Sequence, residues 1–104
     1  MKTIYFTITG CNHHFGMSFF EKGMTVKLVK EPDNEWDKEA IRVEVEGLGA
    51  VGHVANSVYT VLGESYSAGR IYDLIGDTAT GSVMFILDGG VVCRLHERCF
   101  IAAY

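Results

Sequence analysis

The sequence holds one proline and one tryptophan in 104 residues, three cysteines, and nine lysines and arginines against thirteen aspartates and glutamates. Each shortage excludes something. A net charge of −4 argues against a broad cationic surface of the kind that tracks many phosphates, so any nucleic acid is held locally, at one site, or on a larger assembly that carries the basic charge. Three cysteines, Cys11, Cys93 and Cys99, leave one unpaired in any internal disulfide scheme, and reduced thiols are expected. No C-x2-C or H-x3-H pair accompanies Cys11, His13, His14 and His53, and adjacent histidines on a strand point to opposite sides, so no metal site and no cofactor is expected. No apolar run approaches the roughly 18 residues needed to span a bilayer, and Met1–Gly10 lacks the continuous apolar stretch of a secretory signal. A cytosolic location is the expectation. Gly63, Gly69, Gly76 and Gly81 do not form a phosphate-loop pattern. Cys11, His13 or His53, and Asp37 supply the residue types of a nucleophile, base and acid, but no spacing brings them together, so binding rather than catalysis is expected.

What the chain does have is glycine, twelve in all, and short apolar runs broken roughly every eight to twelve residues by turn signals, the mark of a mostly-β domain. Period-two alternation predicts strands over Thr3–Thr9, Thr25–Lys30 and Ala40–Glu46, the last with Ile41, Val43 and Val45 inward and Arg42, Glu44 and Glu46 toward water. Gly47-Leu48-Gly49 connects to a strand over Ala50–Val54, in which Gly52 signals a bulge or a close backbone approach. Asn56 or Ser57 can cap a short helix with Val58, Tyr59, Val61 and Leu62 on its apolar face. Further strands are predicted over Arg70–Ile75, Gly81–Leu87 and Val91–Leu95, the last two joined at Asp88-Gly89-Gly90. The apolar tail Cys99–Tyr104 is expected to pack. Six or seven strands with one or two short helices, in a single domain over 1–104, suggest a small OB-like β-barrel, whose closure removes exposed edges.

The stretch Glu31–Ile41, EPDNEWDKEAI, concentrates specialised residues. Pro32 fixes φ, and Asp33, Asn34 and Asp37 can bond nearby backbone amides, so a structured turn accounts for most of it. Trp36, flanked by charges, has no obvious inward position. It is either a satellite of the core or a platform. Tyr66–Tyr72, with two tyrosines and Arg70, has residue types suited to an interface or a stacking surface.

Val26, Leu28, Glu31-Pro32-Asp33-Asn34, Trp36-Asp37, Ala40-Ile41 and Val43, followed by Val51-Gly52-His53-Val54, resemble the HIRAN domain over roughly Thr7 to Leu95. The resemblance implies an OB-like barrel, found alone or fused to helicase-like remodelers of stalled replication forks, that captures the 3′ end of single-stranded DNA without catalysis. It places the stacking aromatic at Trp36 and the hydroxyl-reading carboxylate at Asp37. Asn34 would shape the loop or donate to the strand, and His53 would donate to a phosphate. The sequence departs from the pattern at Asn12-His13-His14-Phe15, where DNA-binding relatives carry an arginine and an aromatic, and at Asn56, where a lysine is expected. The implied partners are a single-stranded nucleic acid and a protein supplying helicase or another activity. Two other readings of the same residues are a protein-interaction module using this loop and the Tyr66–Tyr72 face, and a barrel whose aromatic pocket binds a nucleotide.

Overall fold

A computed structural model describes residues 3–101. Six antiparallel strands close into a barrel: β1 (Tyr5–Thr9), β2 (Thr25–Lys30), β3 (Ile41–Val45), β4 (Gly49–Val54), β5 (Thr78–Leu87) and β6 (Gly90–Leu95), in the order β1-β4-β3-β2-β5-β6. The alternation sets the register as expected. Val26 and Leu28 on β2 and Ile41 and Val43 on β3 enter the core, joined by Phe6, Ile8, Val51, Val83, Val91 and Leu95, so side chains fill the barrel interior.

Two bulges shape the wall. Val43 pairs with Gly52 and Glu44 with Ala50, leaving Val51 as the extra residue on β4. Val83 pairs with Cys93 and Phe85 with Val92, leaving Met84 extra on β5. Beyond that second bulge Phe85, Ile86 and Leu87 are all exposed, where β5 and β6 run on to their hairpin turn. Gly52 meets both of its sequence-based expectations. It adjoins the bulge, and a Cβ there would lie 2.6 Å from the Thr9 carbonyl oxygen and 2.8 Å from Ile8 Cγ2.

Two expected elements differ. The helix after Asn56 is a single turn: Thr60 and Val61 donate to the Ser57 carbonyl, and Ser57 Oγ accepts from Tyr59 N. The capping signal is present, but Val58 and Tyr59 are 88% and 93% exposed, so no apolar face is buried to repay helix nucleation. The Leu62 amide instead donates to the buried Thr7 hydroxyl at 3.1 Å, which draws the chain along β1. The strand expected over Arg70–Ile75 is instead the second half of a short helix, α1 (Ala68–Tyr72), capped by Ser67 Oγ accepting from Arg70 N, then a turn and an isolated bridge from Ile75 to Phe100. Ala68, Ile71 and Ile75, spaced by three and four, are the buried positions, so the segment carries a helical period that its short alternation masks. Of the tail, Cys99 and Phe100 pack against the core and Ile101 N donates to the Leu74 carbonyl; the rest lies outside the described residues.

All three cysteines are free thiols. Burial, and then the proximity of Cys11, push the Cys93 thiol up to about 12. His96 follows β6 with both ring nitrogens 2.7 Å from hydroxyls of β5, Nδ1 from Thr80 and Nε2 from Ser82. Burial, then Arg98 and Arg94, hold its pKa below the ordinary histidine value.

Two predictions follow from packing and charge. Gly52→Ala has no room beside the Thr9 carbonyl and lowers the unfolding free energy by about 1–3 kcal/mol, read from the midpoint of urea unfolding; an unchanged midpoint would show that the approach is not tight. Because the folded protein favours neutral His96, the unfolded chain takes up the proton first as pH falls below roughly 6.5, so stability drops from about pH 7 toward pH 5. His96→Gln flattens that slope in melting temperature against pH, whatever its effect on the absolute value.

Candidate nucleic-acid interface

The segment joining β2 to β3 is two turns closed into one loop. Asn34 N donates to the Glu31 carbonyl at 3.0 Å, with Pro32 in the second position where its fixed φ suits the turn. Ala40 N donates to the Asp37 carbonyl at 3.1 Å, and Glu31 N to the Ala40 carbonyl at 2.9 Å, which shuts the loop at its base. Between the two turns Asn34 Oδ1 accepts from Trp36 N at 2.8 Å and from Asp37 N at 3.0 Å. With both amides drawn toward Asn34, the Trp36 side chain stands 91% exposed. The tryptophan is therefore not a satellite of the core, and its neighbours form the structured turn expected of them.

Asp37 is anchored without being exhausted. Oδ1 accepts from Glu39 N at 2.9 Å, and Oδ2 from Asn56 Nδ2 at 2.9 Å. A carboxylate has about four acceptor positions, so lone pairs remain for a ligand hydroxyl. Asn56 in turn accepts from Gly69 N at 2.9 Å, linking the loop to α1. On the other side Glu31 binds three donors: His53 Nε2 at 2.7 Å, Arg42 Nη1 at 2.9 Å and Asn34 Nδ2 at 3.4 Å. Burial pushes the Glu31 carboxyl up, and hydrogen bonds from His53 and Arg42 outweigh it, leaving the pKa below the usual carboxylate value. The Glu31 contribution to stability is thus present above the unfolded carboxylate range and lost as pH falls through the lower folded value.

Asn34, Trp36, Asp37, His53 and Asn56 surround an open depression of about 370 Å³ with Ser57, over a floor of Ala40 and Val54. Asn12, His13 and His14 do not line it. They are exposed on the 3₁₀ turn Cys11–His13 and its end; the turn packs against β4, and Asn12 and His13 line a separate hollow of about 180 Å³ with Asp88, Gly89 and Gly90. His53, expected to donate to a phosphate, turns its Nε2 to Glu31. Two features escaped sequence reasoning. Glu31 organises the loop through side-chain bonds to residues as distant in sequence as Arg42 and His53, for which spacing carries no signal. Ser57 was visible only as a helix cap. Among the described residues no group of three or more His, Cys, Asp or Glu could hold a metal ion, and no helix is long and apolar enough to cross a membrane.

A filled antiparallel barrel, with one aromatic held outward beside a carboxylate on a stapled loop, defines the class: a small closed β-barrel domain. The HIRAN domain matches residues 1–85; the chain belongs to the HIRAN domain family. The crystal structure of the HIRAN domain of human HLTF superimposes on it with a TM-score of 0.60 at 21% sequence identity, covering 89% of this chain and 70% of that one. No curated protein sequence matches the chain.

Asn34→Ala removes the acceptor of two backbone amides and costs about 1–3 kcal/mol of stability. In amide hydrogen exchange, the Trp36 and Asp37 amides are expected to exchange faster than in the wild type while those of β1 and β6 do not; unchanged rates at 36 and 37 would show that the staple does not hold the loop.

Proposed function

We propose that this domain binds single-stranded nucleic acid without catalysis, taking the free 3′ end of DNA in the depression beside Trp36. The observation that carries the reading is the juxtaposition of an exposed indole with a carboxylate that keeps free lone pairs. Capturing a strand end needs an aromatic face for the terminal base and an acceptor for its hydroxyl. Trp36 is the face and Asp37 the acceptor, with Asn34 holding both in place. Asn56 steadies the carboxylate. His53, committed to Glu31 through Nε2, reaches a phosphate only through its other ring nitrogen, and Asn12, His13 and His14 meet the strand, if at all, beyond this depression. The overall negative charge suits a local grip on a strand end, with any further DNA contact or helicase activity supplied by a protein partner.

The two other sequence readings have less support. On the Tyr66–Tyr72 face each tyrosine ring lies under a cation, Arg70 at 3.7 Å from the Tyr66 centroid and Lys30 Nζ at 4.3 Å from that of Tyr72, so neither ring face is an open apolar anchor. The aromatic pocket of the nucleotide reading is this same depression, which has no lysine or arginine on its walls for a nucleotide's terminal phosphates.

The test is fluorescence anisotropy with single-stranded DNA labelled at its 5′ end. A 3′-hydroxyl strand should bind, Trp36→Ala should weaken it about 5- to 150-fold, the loss of one stacked base, and a 3′-phosphate should bind poorly because Asp37 repels it. Equal affinity for 3′-hydroxyl and 3′-phosphate strands would refute end recognition, and undiminished binding by Trp36→Ala would refute the platform.

A further inference from the structure

The depression beside Trp36 continues into a second hollow. Asn56 and Ser57 line both, and the second, about 430 Å³, is bounded further on by Val61, Ser65, Ser67 and Arg70. The first has an aromatic and a carboxylate but no lysine or arginine on its walls. A strand entering it brings phosphodiesters for which that depression offers no fixed positive charge. The second hollow has one.

We propose that this second hollow is a phosphodiester subsite, with Arg70 as its cation, receiving the backbone immediately upstream of the nucleotide that occupies the Trp36 depression. The proposal rests on the strand-end reading above and extends it to a residue and a direction of approach. Arg70 is exposed on α1, and its guanidinium lies 3.7 Å from the centroid of the Tyr66 ring. Stacking orients a guanidinium by its face and leaves the N–H edge for a phosphate, which it can bind through two parallel hydrogen bonds. Lys38, on the loop itself, lines neither hollow, and two other cations are engaged elsewhere. Arg42 is paired with Glu31 and Glu44, and Lys30 Nζ donates to the Ile75 carbonyl at 2.9 Å. Among the described residues no carboxylate forms an ion pair with Arg70. The Glu39 carboxylate, which approaches Gly69, is not among the residues lining the hollow.

The hydroxyls complete the subsite. Ser57 Oγ accepts from Tyr59 N at 3.1 Å, and Ser67 Oγ from Arg70 N at 3.3 Å. Each serine thereby meets a backbone donor with a lone pair and keeps its own proton to donate to a phosphate oxygen. A short path from Trp36 past Asn56 and Ser57 to Arg70 thus presents a stacking face, a hydroxyl acceptor, and then a cation with two hydroxyl donors, in the order that a strand end followed by its first phosphodiester requires.

The experiment measures affinity for a 5′-labelled single-stranded DNA across a salt series with wild type, Arg70→Gln, Arg70→Lys, and Arg94→Gln as an exposed arginine on β6 that does not line the hollow. Quenching of Trp36 by deoxyadenosine, which has no phosphate, is measured alongside. Arg70→Gln should weaken the oligonucleotide about five- to tenfold at low salt and reduce the slope of log affinity against log salt by about 0.7, one single-strand phosphate contact. Arg70→Lys should keep the slope, Arg94→Gln should match wild type, and deoxyadenosine should quench all four alike. If wild type does not bind the oligonucleotide, the strand-end reading and this subsite fall together. If wild type binds and Arg70→Gln keeps its affinity and slope, the subsite alone is overturned.

Discussion

One side-chain carbonyl governs the geometry of the site. Asn34 Oδ1 takes the amides of both Trp36 and Asp37, and that double acceptance fixes the backbone so that the indole leaves the protein while the next carboxylate stays against it. A tryptophan left exposed forgoes the stabilisation that burial would give it. It persists here because the loop is satisfied without it: every turn bond in the stretch is made by backbone or by Asn34, Asp37 and Glu31.

The loop is also tied outward in two directions, and these ties connect it to the barrel. Glu31 gathers Arg42 from β3 and His53 from β4, so the base of the loop is held by the wall that Gly52 allows to approach β1. Asn56 runs from Asp37 to the Gly69 amide, so the carboxylate is coupled to α1. The site is thereby preorganised from both sides, which limits the ordering cost of binding. Side chains of partial exposure carry most of these bonds, so their value lies more in positioning than in stability.

Strands were legible in the sequence because their inward residues alternate cleanly: Ile41 and Val43 are buried while Arg42 stays at the surface. Six of the expected seven strand segments correspond to strands, and the seventh, Arg70–Ile75, was misread because Ile71 and Ile75 satisfy both periods and only their packing decides between them. The helix expected after Ser57 failed for a tertiary reason, the pull of the Thr7 hydroxyl on the Leu62 amide, which no local pattern records. In the site, Trp36, Asp37 and Asn34 stood out because their types are unusual together in one turn. That Asn56 and His53 join them, and that Asn12, His13 and His14 do not, depends on where β4 passes. Arg70 was visible as a residue type, but its place at the end of the groove depends on the helix that replaced the strand.

The central claim is that Trp36 is a platform open to solvent when free and covered when a strand end is bound. As the only tryptophan in the chain, it can be followed by acrylamide quenching without labelling. Free protein should quench as readily as an exposed indole in a peptide, and saturating single-stranded DNA with a free 3′-hydroxyl should lower the quenching constant sharply. A constant that is low in the free protein, or one that DNA leaves unchanged while it demonstrably binds, would contradict the account.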